Sequence, residues 1–210
     1  MLFLAKIAHF FCWLVGKIVF SLFFNFEPIG TENLKNLERP LIVAFNHSSW
    51  IDPFLVMASV PPSSKITPIH FAVWYKHYWK FFPFTFASGA FPVKKKLGLK
   101  KSLKKGLKLL KKKGVVGIAP EERRRHLGRP RKGRRGAAFL ALKTNSPILP
   151  IYIEGTLGAT LSDVLLRKVK ATVIIGKAFY LDAQQRIKKA SDLDKPSNFI
   201  MDKIYQLENE

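Results

Sequence analysis

His47 and Asp52 stand five residues apart in Asn46-His47-Ser48-Ser49-Trp50-Ile51-Asp52. An imidazole held at one ring nitrogen by a carboxylate keeps the other nitrogen as a base of fixed tautomer. The chemistry open to such a pair is removal of a proton from a hydroxyl. Whether the two side chains meet depends on the backbone between them. Five residues of unbroken helix rotate through about 140°, which points them apart. A strand-to-helix turn brings them together, and the flanking sequence supplies one. Leu41-Ile42-Val43-Ala44-Phe45 is a short, partly β-branched apolar run ending at turn-forming polar residues, the pattern of a buried strand. Asp52-Pro53 precedes the apolar Phe54-Leu55-Val56-Met57. Proline has no N–H to lose at the first helical position, and aspartate suits the cap before it, so a helix is expected to start near Pro53. Ser48 and Ser49 are expected to cap the loop or to bond its backbone. Taken alone, a His-x4-Asp more often decorates a turn than forms a site; the rest of the chain decides.

The chain has 210 residues, enough for one domain with a full core, and 48% of them are hydrophobic. Cys12 is the single cysteine, so an internal disulfide and a Cys-rich zinc site are excluded, consistent with a reducing, cytosol-facing location. The five histidines lack metal-ligand spacing, and no metal or bound cofactor is expected. Neither GxGxxG nor GxxxxGK[ST] occurs. Net charge is +22, from 36 Lys+Arg against 14 Asp+Glu. That balance favours polyanionic partners: nucleic acid, anionic lipid surfaces, acidic carrier proteins or phosphorylated substrates.

Residues 2–24 are mostly apolar and, as a helix, run roughly 35 Å, enough to cross a bilayer core. Lys6 and Lys17 return to within about 20° on the helical wheel, and His9 and Ser21 flank them. A lysine near the bilayer centre costs about 3 kcal/mol, which lying in the interface avoids. Residues 1–26 are therefore expected to form a membrane-associated helix, in or dipping into one leaflet. No small-residue cleavage site precedes Asn25, so a secretory signal is disfavoured.

A polar connector is expected over 27–40. Strands are expected near 41–45, 66–73, 89–93, 115–119, 147–153 and 169–176, and helices near 53–57, 99–112 and 136–144. Residues 74–86 are densely aromatic, suited equally to core packing and to contact with lipid. The helix over 99–112 carries Leu99, Leu103, Leu107 and Leu110 on one face and lysines on the other. That basic face is either solvated or drawn to an anionic bilayer at about 1 kcal/mol per lysine. The stretch 123–135 reads as an arginine-rich loop, and 182–207 as a polar helical segment broken near Pro196. Helix and strand alternate, which gives an α/β single domain over 27–210 with a central mixed, mostly parallel sheet flanked by helices.

Four blocks, in order, resemble the glycerolipid acyltransferase family, typified by 1-acyl-glycerol-3-phosphate (lysophosphatidic acid) acyltransferase. Asn46-His47-Ser48-Ser49-Trp50-Ile51-Asp52 matches its first motif, NHxSxxD. Gly89-Ala90-Phe91-Pro92-Val93-Lys94-Lys95 looks like its second, with Lys95 where arginine is usual. Pro120-Glu121-Glu122-Arg123-Arg124 sits at its third, normally PEGTR, and Ser146-Pro147-Ile148-Leu149-Pro150-Ile151 at its fourth. Glu122 and Arg123 replace a glycine and a threonine, while lysine at 95 keeps charge without the planar fork of arginine.

The resemblance implies a membrane-bound O-acyltransferase that moves a fatty acyl group from acyl-CoA or acyl carrier protein to a lysophospholipid hydroxyl. The acceptor implied first is 1-acyl-glycerol-3-phosphate, giving phosphatidic acid; the altered third motif admits another lysolipid or lipid alcohol. His47 and Asp52 would be catalytic. Lys95 and Arg124 would hold the acceptor phosphate, with Glu121 orienting those cations. The expected site of action is the cytoplasmic face of the inner (plasma) membrane, on anionic lipid. A nucleic-acid-binding protein fits the charge, but neither the apolar N-terminal helix nor the His-x4-Asp loop, and nucleic acid is not expected as a partner. A hydrolase using Ser48, Ser49 or Ser88 and a lapsed lipid-binding relative are the remaining rivals.

Overall fold

Alternation of buried β-branched runs with amphipathic segments yields a three-layer α/β architecture in the computed structural model, which describes residues 2–121, 132–156, 167–182 and 189–209. In chain order the elements are α1 (Leu2–Phe24), β1 (Glu27–Ile29), β2 (Leu41–Phe45), α2 (Asp52–Ser59) and β3 (Ile69–Trp74). Two short helices, α3 (Tyr75–Lys80) and α4 (Phe82–Ala87), lead to β4 (Phe91–Val93). Then come α5 (Gly98–Ser102), α6 (Lys104–Lys111), β5 (Val115–Ile118), α7 (Gly136–Thr144), β6 (Ile148–Glu154), β7 (Thr172–Ile175) and α8 (Asp194–Gln206).

Among the described residues the strands form one sheet in the order β1-β7-β6-β2-β5-β3-β4. Every pairing is parallel except that of β6 with β7. β2 lies centrally, with Ile42 opposite Val116 on one side and Ile148 on the other. Leu41, Val43 and Phe45 point into one core cluster with Leu55, Val56 and Tyr78, whereas Ile42 and Ala44 point into the other with Leu110, Leu140 and Ile200. Both faces of a parallel sheet are thus covered, which is why β2 reads as unbroken apolar sequence.

The placement of helices follows from handedness. Right-handed crossovers carry the chain from β2 to β3 and on to β4 with α2, α3 and α4 over one face. The return from β4 to β5 and across to β6 puts α6 and α7 over the other. So α2 follows β2 on one side and α7 follows β5 on the opposite side, although β2 and β5 are neighbours. That reversal opens a crevice beyond the carboxyl ends of β2 and β5, the usual seat of ligands in open α/β sheets.

α1 packs on α2 along a narrow buried seam that includes His9 and Gly16, while Ala5 sits against Gly89. At Gly16 an added Cβ would lie 3.1 Å from Ala58 Cβ, so the missing side chain is what lets the helices approach. His9 is buried in this seam, its Nε2 3.1 Å from the Val60 carbonyl; it does not share the solvent-facing edge with Lys6 and Lys17. Most of the rest of the helix wall, including Phe3, Phe11, Val15, Ile18 and Leu22, is exposed. Only 17% of its apolar window is buried, so α1 is not an ordinary core helix, and by length and composition it suffices to cross a membrane.

Three local expectations are corrected. The connector over 27–40 contains β1, which escapes detection because it is three residues long and holds Pro28; as an edge strand it tolerates a residue without N–H. The leucine-lysine helix is two helices that break at Leu103, where Lys94 N–H reaches back to Ser102 Oγ at 3.0 Å. Pro196 breaks nothing: it sits in the first turn of α8, where an N–H would have no intrahelical partner.

Candidate active site

The loop after β2 is built around one carboxylate. Asp52 opens α2, with Pro53 next to it, and is completely buried. Instead of capping its own helix, it turns back over the loop. Its Oδ2 accepts the backbone N–H groups of Ser48 and Ser49, each at 2.8 Å, and lies 2.9 Å from His47 Nδ1. Three donors on one oxygen offset the cost of burying a charge. A proton on Nδ1, facing Asp52, would leave the lone pair of His47 on Nε2. The His47 side chain is 27% exposed, so that nitrogen is reachable while its orientation is fixed from below.

Two further residues tie the loop to the sheet. The Asn46 amide donates Nδ2–H to the Ile153 carbonyl at 2.8 Å and accepts the Ile153 N–H at 2.7 Å. It thereby adds one more rung between β2 and β6 after the backbone of β2 has ended. Thr156, buried just past β6, donates its hydroxyl to Asp52 Oδ1 at 3.4 Å, a long contact. The sequence quoted Asn46 within the first motif without assigning it a task. Thr156 carried no signal, since nothing in type or spacing links it to a residue 104 positions away.

His47 and Glu121 line the same crevice, whose floor is apolar at Leu103, Ile118 and Phe139. Glu121 follows β5 and is buried, and its Oε1 accepts the Tyr205 hydroxyl of α8 at 2.7 Å. Tyr205 is the other residue the sequence did not single out. Lys95 begins the 3-10 turn Lys95–Leu97 one residue after β4, between crevice-lining Val93 and Gly98 in the chain. Arg124 lies outside the described residues. The rim also carries Lys100, Lys132, Arg134 and Arg135. Arg135 grips Asp194 through Nε–Oδ1 at 2.6 Å and Nη2–Oδ2 at 3.0 Å, and this hydrogen bonding holds the Asp194 carboxyl below the usual carboxylate range. His47 of the first motif and Glu121 of the third therefore open onto one crevice. Among the described residues no cluster of three or more His, Cys, Asp or Glu is arranged to hold a metal.

The second motif meets the core through Gly89, whose φ is +70° and whose Cβ, if present, would lie 2.5 Å from His70 Nδ1. His70 Nδ1 bonds the Gly89 carbonyl at 2.9 Å. Burial holds the His70 imidazolium below the usual histidine range; the Gly89 bond opposes this, and the charges of Lys105 and Arg39 add to it.

An imidazole-carboxylate pair beyond the carboxyl end of a parallel strand, beside a partly apolar crevice with cationic residues in its lining, is an arrangement able to take a proton from a hydroxyl, the chemistry of a group-transferring α/β enzyme. The sequence profile of the Acyltransferase family matches residues 25–154, and the chain belongs to that family. It is 26% identical over 202 residues to a 1-acyl-sn-glycerol-3-phosphate acyltransferase of Bacillus subtilis, covering 95% of this chain and 96% of that one. It is 28% identical over 179 residues to a chloroplastic 1-acyl-sn-glycerol-3-phosphate acyltransferase of Brassica napus, covering 83% of this chain and 51% of that protein. In fold it is similar to the crystal structure of the 1-acyl-sn-glycerophosphate acyltransferase PlsC of Thermotoga maritima, with a TM-score of 0.64 at 20% identity. That likeness covers 96% of this chain and 79% of the other.

Proposed function

We propose that this chain transfers a fatty acyl group from an acyl thioester to the free hydroxyl of 1-acyl-glycerol-3-phosphate, forming phosphatidic acid. The observation that carries the reading is the His47 Nδ1–Asp52 Oδ2 contact of 2.9 Å at the crevice mouth. His47 Nε2 takes the proton of the acceptor hydroxyl as its oxygen bonds to the thioester carbonyl carbon. The tetrahedral intermediate then collapses, the C–S bond breaks, and the departing thiolate takes the proton back from His47. Asp52 orients the ring and stabilises its cationic form; a positioned base of this kind contributes about 10²–10⁴-fold. The thioester is already activated, so no acyl-enzyme is needed.

Lys95 and Arg124 are assigned to the acceptor phosphate, and Glu121 to holding those cations in place. The donor is acyl-CoA or acyl carrier protein; both are anionic and suit the net charge of +22. Residues 1–26 serve as a monotopic or single N-terminal anchor at the cytoplasmic face of the inner membrane, where lipid acceptor and product reside. Glu122 and Arg123 in the third motif keep a second acceptor class in view, another lysolipid or a lipid alcohol.

The test is a mass-spectrometric assay of detergent-purified protein with acyl-CoA and a panel of lysolipids. Phosphatidic acid formed from lysophosphatidic acid, and lost in His47→Ala, is the expected result. A near-normal rate in that variant would remove His47 from the mechanism.

A further inference from the structure

The proposed transfer leaves unexplained the charge on the wall beside the crevice. Between positions 94 and 113 the chain carries eleven lysines and no carboxylate. Leu103, Gly106 and Leu110 are the buried side of α6. Gly106 seats the helix closely, since a Cβ there would lie 3.1 Å from Phe91 Cζ. The opposite side, Lys104, Lys108, Lys111 and Lys112, is exposed, and Lys100 continues the row on α5. No ion pair joins these five to another described residue. Within α6, Lys104 and Lys108 stand four residues apart and Lys108 and Lys111 three, spacings at which like charges repel along a helix. The row is thus uncompensated by any described carboxylate and held at a cost to the isolated chain.

Its position discriminates between anionic partners. α6 packs in the core cluster on one side of the sheet, whereas α1 packs with α2 on the other. Helix and sheet layers stack about 10 Å apart, so roughly 20 Å separates the two outer helices. That is more than two Debye lengths, each about 8 Å at physiological salt. A bilayer seated on the apolar wall of α1 therefore exerts little pull on the α6 lysines, which face water. Leu99, Lys100, Ser102 and Leu103 meanwhile line the crevice that reaches His47.

We propose that the lysine face of α5 and α6 docks an acidic carrier protein bearing the acyl chain as a thioester, delivered across the α5 wall to His47. The inference rests on the acyltransferase reading and adds the donor's docking surface. It predicts that discrimination between donors lies on α6, away from the crevice. The test uses the full chain in detergent with lysophosphatidic acid and two donors of equal chain length, acyl carrier protein thioester and acyl-CoA. In Lys108→Glu/Lys111→Glu/Lys112→Glu the KM for the protein-borne donor should rise at least about tenfold, through loss of electrostatic attraction, with acyl-CoA turnover unchanged. Lys108→Gln/Lys111→Gln/Lys112→Gln should give a smaller rise, and circular dichroism should show both variants folded. An equal change for both donors, or none, overturns the proposal. So does loss of binding to phosphatidylglycerol vesicles with donor kinetics unaltered, which would assign the row to the bilayer. Docking is also read by anisotropy titration with the unacylated carrier protein. If the wild type binds it through these lysines yet turns over neither donor, the reaction assignment fails and the docking surface stands.

Discussion

At the scale of single residues, the site is a chain of supports ending in one nitrogen. His47 is held by Asp52, and Asp52 by two loop N–H groups and, from Oδ1, by Thr156. Asp52→Asn keeps the volume but removes the negative charge that stabilises an imidazolium, so turnover should fall about 10²–10⁴-fold with the fold intact. A loss under tenfold, measured alongside an unchanged circular dichroism spectrum, would demote the carboxylate to a structural role. Tyr205→Phe removes the hydroxyl that donates to Glu121 at 2.7 Å. Leaving a buried acceptor short of one donor costs about 1–3 kcal/mol, so the carboxylate should shift and the acceptor KM should rise several-fold with little change in kcat. An effect on the donor KM alone would contradict the assignment of Glu121 to the acceptor side. His47 and Asp52 were legible in the sequence because a short loop brings them together. Thr156 and Tyr205 were not, because only the completed sheet places β6 beside β2 and α8 over β6 and β2, within reach of Glu121.

At the scale of elements, legibility followed burial. Strands β2, β5 and β6 show long apolar runs because parallel strands covered on both faces admit little else. β1 did not, being three residues on an edge, and the break at Leu103 did not, because the helical spacing of the leucines continues across it. His70 of β3 carries an acid sensitivity. Its folded form binds a proton more weakly than the unfolded chain, whose histidine titrates near pH 6.5. The unfolded state therefore takes up more protons as pH drops below about 6.5, and folded stability declines from there toward the lowered folded value. Above that range the contribution is fully present. Denaturant midpoints should fall with acidification in the wild type and fall less in His70→Gln; identical slopes would clear His70 of the effect.

At the scale of the whole molecule, two surfaces of contrasting chemistry lie on opposite sides of the sheet, the apolar wall of α1 and the lysine face of α6. The first is continued by exposed Trp79, Phe82 and Phe84 on the same side of the sheet. The aromatic stretch over 74–86 thus serves both packing and exposure: Tyr78 is buried while Trp79 is not. Phe11 and Ile18 point outward from α1, so Phe11→Glu/Ile18→Glu should release the protein from liposomes in flotation without unfolding it. Persistence on the liposomes would mean that another surface holds the membrane. The sheet between the surfaces keeps them apart, and the crevice opens where its strands end.

The Asn46 side chain occupies the place of a peptide group, answering both the amide and the carbonyl of Ile153. The segments after β2 and after β6, one bearing His47 and the other Thr156, are consequently tied to each other. Any change that loosens the far end of β6 will be felt at the imidazole without touching it. An isosteric Asn46→Asp, which forfeits the donating half of that clasp, should slow turnover by letting the base wander while leaving substrate affinity near its starting value.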